Sequence, residues 1–106
     1  MTLKDERLAS VIQELASKFI NEESNRQSLI TVTRVLVEDK GRRATIMFTA
    51  LPEDSEPRAL EFLSRKKSDL RKFIQSKKVV GFAPRVDFAL DSGEHNRQRI
   101  DELLNS

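Results

Sequence analysis

A chain of 106 residues holds one domain, and 38% hydrophobic with 34% charged residues describes a globular domain with a heavily charged surface, not a disordered tail. With no cysteine, disulfides, thiolate metal sites and cysteine nucleophiles are excluded. The net charge of +2 is unevenly spread: between Arg65 and Arg85 lie eight basic residues and one acid, Asp69, a window of +7 that leaves −5 for the remainder. Such a basic segment on an acidic body is either the footprint of a polyanion binder or a solvated lysine-rich helix, and charge alone does not choose.

The first element is a helix. Leu8, Val11, Ile12, Leu15, Ala16, Phe19 and Ile20 recur at helical spacing and form one apolar face. Thr2 and Asp5 are spaced as a capping box, and Asp5 and Glu6 suit the positive end of the helix dipole. The polar run from Asn21 to Ser28 ends it.

LITVTRVLVE, Leu29 to Glu38, is rich in β-branched residues and reads as a strand. Ile30, Val32 and Leu36 alternate there against Thr31, Thr33, Val35 and Val37, with Arg34 interrupting the first set. Asp39-Lys40-Gly41 is a turn, and RRATIMFTAL after it is a second strand with Ala44, Ile46 and Phe48 on one face. The short link makes the pair an antiparallel hairpin.

Pro57 fits the first turn of a helix running from Arg58 to Ser76. Its apolar stripe (Phe62, Leu63, Leu70, Phe73, Ile74) contains Lys66 at its centre. Burying that ammonium on a straight helix is costly. Either Lys66 snorkels, or the helix bends between Arg65 and Asp69; the bend is favoured and places Lys66 and Lys67 at a corner.

Val79 to Pro84 is a loop with an apolar anchor. RVDFAL puts Val86, Phe88 and Leu90 on one face of a third strand, and Asp91-Ser92-Gly93 turns into a last helix carrying Ile100, Leu103 and Leu104. The fold class is therefore α+β: a three-stranded sheet with helices on one face.

Catalytic and metal chemistry find no support. The lone His95 reads as an exposed helix residue, and Gly41, Gly81 and Gly93 are too isolated for a phosphate-binding loop. No nucleophile sits beside a base. Phe19, Phe48, Phe62, Phe73 and Phe88 take core positions, leaving Phe82 without one, so a stacking platform for single-stranded bases is not expected and nucleic acid would be met through phosphates and shape. No apolar leader or span is visible, and a cytosolic protein is expected.

The order α-β-β-α-α-β, with a central hairpin and a further helix appended, resembles a type II K-homology-like (KH-like) domain, and more closely the ribosome-binding factor A family. Leu29 to Phe48 resembles that family's ITVTRV strand pair. Arg26 in Ser24-Asn25-Arg26 matches the arginine of its Asp-Pro-Arg, Leu70-Arg71-Lys72-Phe73-Ile74 its LR helix, Pro84 to Phe88 with Asp91 its third strand, and Arg99-Ile100 to Leu103-Leu104 its closing helix. The family's Ala-x-Gly kink is replaced here by Lys66-Lys67-Ser68.

The resemblance implies a single KH-like domain over residues 1–106, with a helix-kink-helix and an appended C-terminal helix. It further implies a non-enzymatic factor, monomeric off the ribosome, that binds the small ribosomal (30S) subunit and its 16S rRNA and assists late rRNA maturation. No cofactor, metal, membrane or small-molecule substrate is expected. Arg65, Lys66, Lys67, Arg71, Lys72, Lys77 and Lys78 are the expected phosphate contacts, with Arg34 and Arg85 as further candidates. Arg34 is equally well read as paired with Glu38, Asp87 or another acid on the sheet. The alternative function is a protein–protein adaptor using an exposed strand edge or the last helix; a small hydrolase rests on no motif.

Overall fold

In the computed structural model, residues 2–23 and 28–91 are described. Ser24-Asn25-Arg26, His95 and the last helix with Ile100, Leu103 and Leu104 lie outside the described residues.

Helix α1 spans Leu3–Glu23. The capping box forms: the Asp5 N–H donates to the Thr2 hydroxyl at 3.1 Å, and the Thr2 N–H donates to the Asp5 carboxylate at 3.4 Å. Two otherwise orphaned amides at the helix start are satisfied in this way. Ala9, Ile12, Ala16, Phe19 and Ile20 are buried, while Leu8 and Leu15 pack partly buried along the same stripe.

Strands β1 (Leu29–Glu38) and β2 (Arg43–Leu51) form the antiparallel hairpin. Asp39, Lys40 and Gly41 turn between them with φ of 52°, 55° and 84°. Along β2 the alternation is strict, with Ala44, Ile46, Phe48 and Ala50 at 1% exposure or less.

β1 differs from the simple alternation. Ile30 and Val32 face the core, but so do Val35 and Val37, while Leu36 is only half-buried. The register explains it: Val32 pairs with Phe48 and Arg34 with Met47, so Thr33 is an extra residue bulged out of the ladder. Because side chains alternate with period two, one inserted residue moves the next set onto the opposite phase. The bulge therefore brings Val35 and Val37 inward and turns Arg34 out.

A short 3₁₀ turn, Glu53–Ser55, leads into α2 (Glu56–Arg65), with Pro57 in its first turn. Helix α3 (Lys67–Ser76) follows, then β3 (Arg85–Leu90). β3 lies parallel to β2, giving a mixed sheet in the order β1-β2-β3. A parallel neighbour cannot be reached by a tight turn, and α2–α3 supply the crossover. α1 covers β1, α2 packs on β2 and β3, and α3 sits against α1 and β3.

Phe48, Ile12, Ile20, Ile46, Leu63, Leu70 and Ile74 are essentially inaccessible. Each such side chain contributes about 1.5–3 kcal/mol by leaving water. Phe19 meets Phe73 at 5.6 Å and Phe48 meets Phe88 edge-on at 6.3 Å, joining α1 to α3 and β2 to β3.

Candidate RNA-binding edge

The corner between α2 and α3 is real and turns on Lys66. This residue ends one helix and begins the next with φ −99° and ψ 5°. Its N–H donates to the Leu63 carbonyl at 2.9 Å, a tightened last turn, and its carbonyl accepts from the Leu70 N–H at 2.9 Å, the first bond of α3. The break lets α2 bury Ala59 and Leu63, and α3 Leu70 and Ile74, without burying the ammonium between them. Lys66 escapes along the Phe62 ring, 5.9 Å from its centroid, to reach the Glu23 carboxylate at 3.6 Å. Bend and snorkelling, read from the sequence as alternatives, occur together.

No left-handed residue is used at this corner. The non-glycine residues with positive φ are Asp39, Lys40 and Lys78 among those described, and Ser68 lies in regular α3. Serine in place of the family's glycine therefore carries no backbone strain here.

The basic residues divide by what they touch. Lys67, Arg71 and Gln75, spaced i, i+4 and i+8, form one column down α3. Lys67 donates to the Asp87 carboxylate on β3 at 2.8 Å. The Arg71 Nε donates to the Ala83 carbonyl at 3.3 Å and its guanidinium lies 5.4 Å from the centre of the Phe82 ring. Gln75 Oε1 accepts from the Ala83 N–H at 2.9 Å. Lys67 and Arg71 are thus partly structural, tying α3 to β3 and the preceding loop. They are not the partnerless cations that their place in a basic run suggests.

Arg65 and Lys72 are exposed and make no ion pair among the described residues. Lys77 is exposed, its ammonium 4.7 Å above the Phe73 ring. Lys78 follows the end of α3 with φ 57°, a conformation for which glycine is the default. Arg85 is exposed beside Arg43, its register partner on β2. Arg34 is 58% exposed and directed at a sheet acid, Asp91, at 4.0 Å, with the Met47 sulfur 3.3 Å from its Nε. The pairing reading of Arg34 is the one that the geometry displays, with Asp91 in place of Glu38 or Asp87.

Asp91 itself is buried, and accepts a 2.6 Å hydrogen bond from the bulged Thr33 hydroxyl. Asp87 is held below the usual carboxylate range, first by the Lys67 hydrogen bond, with partial desolvation opposing and the charges of Lys67, Arg85 and Arg43 assisting.

Arg42 and Arg43 were not among the expected contacts. They sit 42 residues or more from Arg85 in sequence and meet it only through the parallel β2–β3 pairing, which leaves no local signal. Among the described residues no group of three or more His, Cys, Asp or Glu could hold a metal ion, and no helix is long and apolar enough to cross a membrane.

A three-stranded mixed sheet, helices on one face and a kinked helix pair edged with cations together define an α+β, type II KH-like protein. Residues 4–104 match the family model described as ribosome-binding factor A, and the chain belongs to that family. It is 30% identical over 107 residues to ribosome-binding factor A of Geobacter metallireducens, covering 98% of this chain and 91% of the relative. It is 33% identical over 104 residues to that of Geobacter sulfurreducens, covering 95% and 88%.

The crystal structure of ribosome-binding factor A from Thermus thermophilus superposes with a TM-score of 0.72 at 22% identity, covering 81% of this chain and 94% of that one. A Thermotoga maritima solution structure of a putative ribosome-binding factor A gives 0.68 at 26%, covering 82% and 86%. The Thermus thermophilus homology model fitted into a cryo-EM map of a complex with the 30S subunit gives 0.65 at 20%, covering 76% and 88%.

Proposed function

We propose that this protein is a non-catalytic assembly factor of the cytoplasm that binds the small ribosomal subunit through its rRNA and assists late 16S rRNA maturation. On this reading residues 1–106 act as one KH-like domain, monomeric off the ribosome. Family membership supports it, as does the Thermus thermophilus relative placed in a 30S complex. The observation that carries it is the outward set Arg65, Lys72, Lys77 and Lys78 along the α2–α3 edge, all exposed. Positive charge without an acidic partner among the described residues, on a rigid kinked scaffold, suits phosphates held in a fixed shape. Lys66, Lys67 and Arg71 border the same surface, Arg85 extends it to β3, and Arg34, across the sheet on β1, is a separate candidate.

Cosedimentation with purified small subunits tests the reading. The protein should pellet with them in moderate salt and leave in high salt. If five or six cations each neutralise a phosphate, log K should fall against log salt with a slope of roughly −4 to −5. A flat dependence would overturn the electrostatic docking and favour the adaptor.

A further inference from the structure

At the far end of the molecule from the α2–α3 corner, three segments distant in sequence enclose a cleft: the start of α1, the β1–β2 turn and the loop before β3. Its volume is about 820 Å³, within the roughly 300–1,000 Å³ of ordinary ligand sites. Lys4, Arg7, Lys40 and Arg42 line it. The one carboxylate among the lining side chains, Asp5, is engaged with the Thr2 amide in the capping box. The charged side chains of the lining are therefore mainly cationic, set beside the apolar Leu8, Val11, Val79 and Val80, and an anion entering meets little opposition.

The cleft also holds an aromatic side chain that the core does not use. Phe82 is 69% exposed. A single exposed apolar side chain ordinarily needs no account. This one is held in place: Arg71 lies against its ring, and Arg71 and Gln75 both hydrogen-bond the backbone of Ala83 next to it. Two side chains of α3 thus fix the loop with the ring presented to solvent, so ordering it on binding costs little. A fixed aromatic face amid four cations has the elements of single-stranded nucleic-acid recognition: a base stacks on the ring and the adjoining phosphates meet the cations.

We propose that this cleft binds an unpaired nucleotide of RNA, its base stacked on Phe82 and its flanking phosphates held by Lys4, Arg7, Lys40 and Arg42. The inference rests on the RNA-binding reading above and adds to it a second site that grips a single-stranded segment while the helical edge meets folded RNA. It runs against the expectation from aromatic content that no stacking occurs.

The test uses the full chain and an eight-nucleotide oligoadenylate, with an abasic oligomer of equal phosphate number as control. Phe82→Ala should weaken oligoadenylate binding about 5-fold or more. Phe82→Trp should restore it, and the abasic oligomer should bind wild type and Phe82→Ala equally. Both variants should stay folded with cooperative thermal unfolding, Phe82→Ala losing no more than its exposed contact with Arg71, since Phe82 lies outside the core. Unchanged oligoadenylate binding by Phe82→Ala overturns the stacking, as does an equal loss for the abasic oligomer. An oligoglutamate peptide that competes as well as the RNA overturns it too, making the cleft a generic acid-binding groove. The small-subunit cosedimentation of wild-type protein separates the two readings. Failure there sinks the ribosomal function, whereas binding there with Phe82-independent oligonucleotide affinity sinks only this site.

Discussion

Lys67 shows how much a residue's surroundings alter the meaning of its charge. In sequence it closes an uninterrupted basic triplet, Arg65-Lys66-Lys67. In the fold it faces Asp87 across 2.8 Å, each side chain about two-fifths exposed (38% and 41%). An ion pair this wet contributes under about 1 kcal/mol at neutral pH. Its clearer signature is a titration. The folded carboxyl is depressed below its unfolded value of about 4, so its stabilisation is complete above that value and is lost as pH falls through the lower folded one. Lys67→Met removes the leading cause of the depression. The Asp87 carboxyl, followed by NMR, should then titrate at higher pH, and stability should fall off less steeply on the acid side. An Asp87 titration unmoved by Lys67→Met would show that the field of Arg85 and Arg43 alone sets it.

At the scale of elements, most boundaries were legible because each rests on a local cause. Helical spacing and a capping box gave α1, β-branched runs and a turn triplet gave the hairpin, and Lys66 in an apolar stripe gave the break between α2 and α3. Two features were not legible. The bulge at Thr33 inverts the inward set of β1 halfway along, and only the register with β2 reveals it. The parallel placement of β3 follows from a crossover that no residue marks. The bulge is fixed by Thr33, whose hydroxyl donates to buried Asp91 at 2.6 Å and lies 3.2 Å from the Met47 carbonyl, joining β1, β2 and the end of β3. Thr33→Val keeps the shape and removes the donor. A lost hydrogen bond to a buried carboxylate costs about 1.5–3 kcal/mol, so urea unfolding should show a drop of that order. A change within about 0.5 kcal/mol, with the same sheet register by NMR, would mean that the bulge is held by packing alone.

For the whole molecule, the charge count located a basic segment but could not separate cations that build the fold from cations left for a partner. Nor could it assemble Lys4, Arg7, Lys40 and Arg42, which fall in two stretches of chain more than 30 residues apart and meet only when α1 lies beside the hairpin turn. Two sets of charge reversals make the separation measurable. Arg65, Lys72 and Lys78 are exposed and make no ion pair among the described residues. Changing all three to glutamate should alter folding stability by no more than about 1 kcal/mol, as exposed substitutions usually do. The left-handed backbone at Lys78 bears no more strain with glutamate than with lysine, since both carry a β-carbon. Small-subunit association should collapse, because three attractions to phosphate become repulsions. Lys67→Glu with Arg71→Glu is the contrasting pair. There one glutamate faces Asp87, and the other forfeits the bond to Ala83 and the stack on Phe82, so thermal stability should fall along with binding. If the outward triple variant stays folded and binds small subunits at wild-type strength, the α2–α3 edge is only a solvated face. The contact with the subunit would then lie elsewhere, at the cleft around Phe82 or on a protein-binding face as the adaptor reading has it.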